Sequence, residues 1–198
     1  SLPGHVGTND VADVRRAVDD IASKIDESRI FYAGGSHGGF IGLHFALKDD
    51  RCRAVAIRNP VTNFCSLWCT SDIADWSAVE ALGLSVDSKK IPTGDEMKKM
   101  WQCSPISLNP FRGGRAGRDV PPILFLLGAK DRRVPASQGL HMAETLRQSG
   151  INVRVMVYPE DSHPLSSPET SMDQWVNTLI HFVDVERVEP RPYSRRAT

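Results

Sequence analysis

An α/β fold, with a mostly parallel sheet flanked by helices, is predicted by two features of the amino-acid sequence. Short apolar strand patterns alternate with amphipathic helix patterns along the chain, and this alternation is typical of parallel sheets. A glycine-rich turn at residues 34–39 stands between one of these strands and one of these helices. The length of 198 residues fits a single domain of this class.

Four short apolar runs predict the strands of the sheet. The two runs at 54–57 and 122–127 are continuous and apolar, as expected for strands that are buried on both faces. The runs at 29–33 and 153–158 are five and six residues long and are bounded by turn residues.

Apolar residues at every third or fourth position predict the helices. Thr8 is a plausible N-cap of the first helix. The stripes cover residues 11–25, 40–47, 73–82, 96–103 and 171–185, and a further helix is expected after Pro135.

Two regions lack this regularity. Residues 62–117 are interpreted as an excursion over the sheet that includes a Gly/Arg-rich loop at 111–118. Residues 187–198 are rich in Pro and Arg without periodicity, so they are predicted to form a disordered tail. The predicted domain therefore covers residues 1–186.

The charge balance argues against nucleic acid or a membrane surface as a partner. Lys plus Arg number 24 and Asp plus Glu number 24, so no overall field attracts polyanions. No apolar run approaches the about 18 residues of a membrane span, and no basic segment leads into an apolar stretch at the N-terminus. We therefore expect a cytoplasmic chain. Its four cysteines lack the C-x-x-C spacing of a zinc site, and neither a metal nor an organic cofactor is expected.

The turn Gly34-x-Ser36-x-Gly38 has the pattern of a nucleophile elbow. In that motif a sharp strand-to-helix turn exposes the serine oxygen, and small neighbours avoid clashes with the strained backbone. A strand pattern before the turn and a helix pattern after it make the match specific. Ser36 is therefore the predicted nucleophile of an α/β-hydrolase fold, and the backbone N–H of His37 is a predicted donor to the oxyanion.

Phosphate binding is the competing interpretation of a glycine-rich turn at the start of a helix. The Walker pattern requires a Lys followed by Ser or Thr after its second glycine, whereas Gly39 is followed by Phe40. No G-x-G-x-x-G frame fits the turn either. The sequence therefore favours a serine nucleophile.

The acid and the base of such a fold follow the serine in the order Ser, Asp or Glu, His. His163 follows the strand at 153–158, at the strand end where a parallel sheet presents active-site groups. The other histidines lie before the elbow, in the elbow or in helix patterns. Asp131 leaves the same edge one strand earlier. Asp161 is the alternative acid, although a solvated loop charge suits it better. We predict that Ser36, Asp131 and His163 converge as a catalytic triad.

Five longer motifs are distinctive beyond the elbow and the triad residues. They are residues 34–40, 58–63, 71–76, 131–135 and 158–163. Together these motifs resemble the acylaminoacyl-peptidases, or acylamino-acid-releasing enzymes, of the prolyl oligopeptidase family. The resemblance runs from about residue 2 to residue 185 and implies a cytosolic serine exopeptidase. Such an enzyme removes an N-acylated residue, for example N-acetyl-alanine, from a short peptide through an acyl-enzyme intermediate.

The same resemblance implies a role for Arg133 and a larger parent protein. Arg133 matches a family arginine that binds a substrate carbonyl, for which a guanidinium fork is suited, with a surface salt bridge as the alternative. The chain corresponds to the C-terminal half of the hydrolase domain, without the His-Gly-Gly-Pro loop that supplies a second oxyanion donor and without a β-propeller. Residues 113–118 look longer than the family pattern. The open edge of the strand at 29–33 is expected to promote self-association, or pairing with a companion chain that carries the N-terminal half.

Two alternatives to this function remain. Another peptidase or an esterase of the same superfamily would carry the same triad. A catalytically incomplete fragment could instead serve as an interaction module.

Overall fold

A parallel sheet of four strands forms the centre of the structure, a computed structural model that describes residues 2–84, 91–108 and 120–187. The strands lie in the order β1-β2-β3-β4, and every neighbouring pair is parallel. The predicted α/β class is therefore confirmed. The strands are β1 (Ile30–Gly35), β2 (Cys52–Arg58), β3 (Ile123–Gly128) and β4 (Val153–Tyr158).

Seven α-helices connect and cover these strands within the described residues. All six predicted helices are present, whereas α3 was not predicted. None of the described helices is long and apolar enough to cross a membrane. The helices are α1 (Asn9–Ile21), α2 (His37–Lys48), α3 (Phe64–Thr70), α4 (Ala74–Leu82), α5 (Gly94–Cys103), α6 (Ala136–Gln148) and α7 (Pro168–Glu186).

The ends of α1 and α2 differ from the sequence prediction. Thr8 precedes α1 as expected, but its hydroxyl donates to the carbonyl of His5 and caps no N–H of the helix. The helix ends at Ile21 and continues only as a short 3₁₀ turn, Ala22–Lys24. At the other helix, α2 begins at His37, directly after the predicted nucleophile and three residues before the predicted stripe.

Both faces of the central strands are buried, as predicted. Val55, Ile57 and Phe125 pack in a cluster with side chains of α2 and α6. Ala56 and Leu124 point to the other face and pack near Phe182 of α7. Because side chains alternate along a strand, this pattern requires a helical layer on each side of the sheet.

A second apolar cluster lies under α3, α4 and α5. Phe40 at the start of α2 and Phe64 of α3 are fully buried there, together with Met100 of α5. The predicted excursion thus has its own core, which packs against the elbow helix and Val134. The predicted loop at 111–118, the insertion at 113–118 and residues 188–198 of the predicted tail lie outside the described residues.

Candidate active site

Ser36 lies at the sharp turn between β1 and α2. Its backbone has φ 57° and ψ −119°, a conformation that costs energy for a residue with a side chain. A Cβ atom at Gly34 would lie 2.7 Å from the carbonyl oxygen of Gly38, so only glycine fits there. A Cβ atom at Gly38 would have no described atom within 4 Å. Of these two glycines, only Gly34 is therefore required for steric reasons. The turn has the strained strand-to-helix form that the motif predicts.

Hydrogen bonds fix this turn on the end of β2. The N–H of Ser36 donates to the carbonyl of Arg58 at 2.9 Å, and the N–H of Phe40 donates to the carbonyl of Ser36 at 3.1 Å. The serine is therefore held between the last residue of β2 and the first turn of α2.

Asp131 and His163 form a direct hydrogen bond. Nδ1 of His163 lies 2.7 Å from Oδ2 of Asp131, whose side chain is fully buried, while the side chain of His163 is 24% exposed. Oδ1 of Asp131 accepts the backbone N–H groups of Arg133 and Val134 at 2.8 and 2.9 Å. An ionised carboxylate only accepts hydrogen bonds, so Nδ1 carries the proton and Nε2 is left to exchange one.

The second hydrogen bond of the predicted triad, between Ser36 and His163, is not formed. Across residues 2–84, 91–108 and 120–187, the Ser36 hydroxyl makes no hydrogen bond to His163 or to another side chain. Such contacts are often long in enzymes without substrate, and they tighten in the reacting complex. The convergence of Ser36 with the Asp131–His163 pair stays a prediction.

His37 is the first residue of α2, and its N–H has no carbonyl partner within the helix because of that position. Its ring stacks on Phe40 at 5.1 Å between centroids and meets the edge of Trp76 at 5.9 Å. The backbone N–H of His37 can therefore donate to a bound group, as the predicted role at the oxyanion requires. That role stays a prediction.

Asp10 approaches the ring of His37 from α1. Nε2 of His37 lies 2.9 Å from Oδ2 of Asp10. Burial acts to raise the pKa of Asp10, yet the contact with His37 and the N–H of Val11 outweigh it and hold this pKa below its usual value. No motif predicts this pair, because the two residues are far apart in the chain.

Arg133 forms a salt bridge at the rim of the site. Its Nε lies 3.2 Å from Oδ1 of Asp72, and about half of its side chain is exposed. The backbone carbonyl of Arg133 accepts the hydroxyl of Ser71 at 2.7 Å. The surface salt bridge is thus present, and the role in binding a substrate carbonyl stays a prediction.

Asp161 does not contact His163, and the interpretation of it as a solvated loop charge was wrong. Its carboxylate is buried and accepts the N–H and hydroxyl of Ser167 and the hydroxyl of Thr170, at the start of α7. These hydrogen bonds, with that from Ser167 the largest, lower the pKa of Asp161. Asp161 therefore anchors the N-terminus of α7, where negative charge is favourable.

A family model described as the prolyl oligopeptidase family matches residues 1–186. The chain belongs to this family. Acylamino-acid-releasing enzymes of Arabidopsis thaliana and Sus scrofa are 40% and 37% identical to it over 185 and 183 residues, which confirms the resemblance found in the motifs. These alignments cover 92% and 91% of this chain but only 23% and 24% of the relatives. The chain therefore spans about a quarter of the length of these prolyl oligopeptidase family members.

Solved structures share the fold. Acylaminoacyl peptidase of Pyrococcus horikoshii has a TM-score of 0.77 at 19% identity and covers 99% of this chain and 30% of its own. A puromycin-hydrolyzing peptidase of Mycobacterium tuberculosis has a TM-score of 0.79 at 20% identity, covering 98% of this chain and 28% of its own. At this identity the likeness concerns the fold alone. The predicted α/β-hydrolase fold is confirmed.

Proposed function

We propose that this chain carries the catalytic residues of a serine peptidase that releases N-acylated residues from the N-terminus of short peptides. The observation that carries the proposal is the 2.7 Å hydrogen bond between Asp131 and His163. The strained backbone of Ser36, between a strand and a helix of an α/β-hydrolase fold, supports it further. The substrate class rests on the names of the curated relatives, which are acylamino-acid-releasing enzymes.

Each residue has a defined step in the proposed reaction. The Oγ of Ser36 attacks the carbonyl carbon of the scissile bond while Nε2 of His163 accepts its proton. The same nitrogen returns the proton to the leaving amine, and the acyl-enzyme is then hydrolysed by a water activated in the same way. Asp131 holds the imidazole in the required tautomer, and the N–H of His37 stabilises the oxyanion.

Arg133 is proposed to bind a substrate carbonyl beside the scissile bond. Its backbone is fixed by two groups at the rim of the site, since its N–H donates to Asp131 and its carbonyl accepts from Ser71. The guanidinium is half exposed and is paired with Asp72, whose side chain is 38% exposed. An exposed pair of this kind is weak, so a substrate carbonyl can compete for the guanidinium.

The rest of a longer parent protein is proposed to complete the site. The chain spans 23–24% of its relatives, and the resemblance implies an N-terminal half with a second oxyanion donor and a β-propeller. Loss of one oxyanion donor costs about 10²- to 10³-fold in rate, so this chain alone is expected to be a poor catalyst. A cytoplasmic location follows from the same resemblance and stays a prediction.

The isolated chain is also proposed to associate with itself through one face. Within the described residues β1 pairs only with β2, so its other edge is open. Helix α7, next to this edge, buries mainly polar side chains and exposes apolar ones. The open strand edge and the exposed apolar face of α7 both promote association. The exposed residues are Met172, Trp175, Val176, Leu179 and Ile180, and the buried ones are Thr170, Gln174, Thr178 and His181.

A fluorophosphonate probe tests the proposal, because only an activated serine is labelled. The expected result is a covalent adduct on Ser36 that is abolished in Ser36→Ala and retained in the matched control Ser28→Ala, an exposed serine of the same chain. Absence of the adduct from the folded chain would favour the alternative of an interaction module.

Substrate choice is tested separately, on the longer parent protein. Faster turnover of acetyl-alanyl anilide than of a p-nitrophenyl ester supports the acyl-peptide substrate. The reverse preference would favour an esterase or another peptidase of the superfamily.

A further inference from the structure

Asn59 has an unusual backbone conformation directly after β2. Its φ is 40°, in the left-handed region that asparagine tolerates better than most residues with side chains. Only 1% of the residue is exposed. Its N–H donates to the carbonyl of Leu126 at 3.0 Å, which ties this position to β3. A strained and buried residue at the end of a central strand calls for an explanation.

The side-chain amide of Asn59 links two neighbouring segments. Its Nδ2 donates to the carbonyl of His163 at 2.9 Å, with a longer contact to the carbonyl of Ser162 at 3.4 Å. Its Oδ1 accepts the N–H of Gly128, the last residue of β3, at 2.8 Å. One amide group therefore uses its donor end for the loop of His163 and its acceptor end for the strand that leads to Asp131.

Gly128 allows the two segments to come this close. A Cβ atom at this position would lie 2.5 Å from the carbonyl oxygen of Ser162 and 2.7 Å from that of Asp161. The N–H of Lys130 also donates to the carbonyl of Asp161 at 2.9 Å. The loop of the predicted base thus rests directly on the end of β3.

The same end of β2 also holds Ser36. The carbonyl of Arg58, the residue before Asn59, accepts the N–H of Ser36 at 2.9 Å. Two consecutive residues, the last residue of β2 and the residue after it, therefore bind the segments of the predicted nucleophile and of the predicted base. A shift of the Asn59 side chain changes the place of His163 relative to Ser36 without touching either reacting side chain.

We propose that Asn59 is a positioning residue, which sets the place of His163 relative to Ser36 and Asp131 through its hydrogen bond to the His163 carbonyl. This inference rests on the proposed function, because the positioning matters only if the three residues react together. The catalytic effect of a misplacement of about 1 Å reaches about 10²-fold.

Two substitutions at Asn59 test the proposal. Asn59→Asp keeps the shape, the acceptor for Gly128 and the tolerance of positive φ, but it loses the donor to His163. Asn59→Gly keeps only the backbone conformation and serves if the first variant does not fold. The matched control is Gln138→Glu, since Gln138 is an equally buried amide that binds the N–H groups of Thr62 and Asn63 and contacts no triad residue.

The rate of fluorophosphonate labelling and the thermal midpoint are measured for each variant. The expected result is labelling about tenfold to about 10²-fold slower in either Asn59 variant, with the wild-type rate in Gln138→Glu despite a similar loss of thermal stability. Wild-type labelling in a folded Asn59 variant would overturn the proposal, and so would an equal slowing in the control.

Nuclear magnetic resonance separates this inference from the proposed function. In ¹⁵N-histidine spectra, the Nδ1–H signal of His163 is expected to shift or vanish in Asn59→Asp and to stay unchanged in Gln138→Glu. If the wild-type chain is not labelled, the proposed function fails, and these spectra alone decide the role of Asn59. If neither Asn59 variant folds, the hydrogen-exchange rate of the Asn59 side-chain NH₂ group is measured in the wild-type chain. Exchange as fast as that of the exposed Asn9 side chain would overturn the proposal, whereas much slower exchange would support it.

Discussion

Replacement of Asp131 by asparagine tests the predicted acid with little change in shape. Oδ1 of Asp131 accepts two backbone N–H groups, at 2.8 and 2.9 Å, and Oδ2 lies 2.7 Å from Nδ1 of His163. An asparagine keeps both backbone hydrogen bonds when its carbonyl oxygen takes the place of Oδ1. Its NH₂ group then faces Nδ1 of His163, which must give up its proton to accept the new hydrogen bond.

The expected loss follows from the tautomer that results. With the proton on Nε2, His163 has no lone pair to accept the proton of Ser36. In serine proteases the same substitution lowers the rate by about 10⁴-fold, which corresponds to about 5.4 kcal/mol at about 1.36 kcal/mol per factor of ten. Two of the three side-chain hydrogen bonds of residue 131 remain, so the fold is expected to persist.

The assay is the rate of fluorophosphonate labelling at a temperature well below thermal unfolding. We expect Asp131→Asn to be labelled no faster than Ser36→Ala. The matched control is Asp161→Asn, a second buried carboxylate of the same region that contacts Ser167 and Thr170 and not His163. Labelling of Asp131→Asn at the wild-type rate would show that Asp131 does not act as the acid of the site. An equal loss in the control would show that the effect is not specific to Asp131.

Three further predictions concern substrate binding, stability and association. Arg133→Ala in the longer parent protein is expected to lower kcat/KM for a peptide several-fold more than for a small ester, and equal losses would reject carbonyl binding. Asp161→Asn should lower the thermal midpoint at pH 7 by a few degrees. The pKa of Asp161 is lower in the folded chain, so the difference in thermal midpoint should persist at every pH above the ordinary aspartate pKa of about 3.9. It should vanish as the pH falls through the lower pKa of the folded chain. A difference independent of pH would contradict the anchoring role. Size-exclusion chromatography with light scattering should find oligomers of the isolated chain, whereas a monodisperse monomer would argue against association through β1 and α7.

The regular part of the fold could be predicted because its signals are local. Strand β4 has the predicted bounds, 153–158, since an apolar run between turn residues defines them without outside help. The first turn of α2 was missed because its glycines interrupt the apolar spacing. Helix α3 has only seven residues, too few to show a period, and its cap by the Asn63 side chain is visible only in the structure.

The contacts of the site divide in the same way. Asp131 and His163 meet as predicted, because the ends of neighbouring parallel strands share one edge of the sheet. The burial of Asp161 could not be predicted, since it depends on where α7 begins. The bridge made by Asn59 joins residues about a hundred positions apart, and only the spatial order of the strands brings them together.

A crystal structure of the parent protein, inhibited by a fluorophosphonate, would show whether Ser36 joins the Asp131–His163 pair, on which the proposed mechanism depends. We expect a covalent bond from phosphorus to the Oγ of Ser36. We also expect Nε2 of His163 within about 2.6–3.2 Å of that oxygen or of the adduct, and the N–H of His37 about 2.7–3.1 Å from a phosphonyl oxygen. An adduct on another residue, or a His163 ring that stays out of reach of Ser36, would contradict this mechanism.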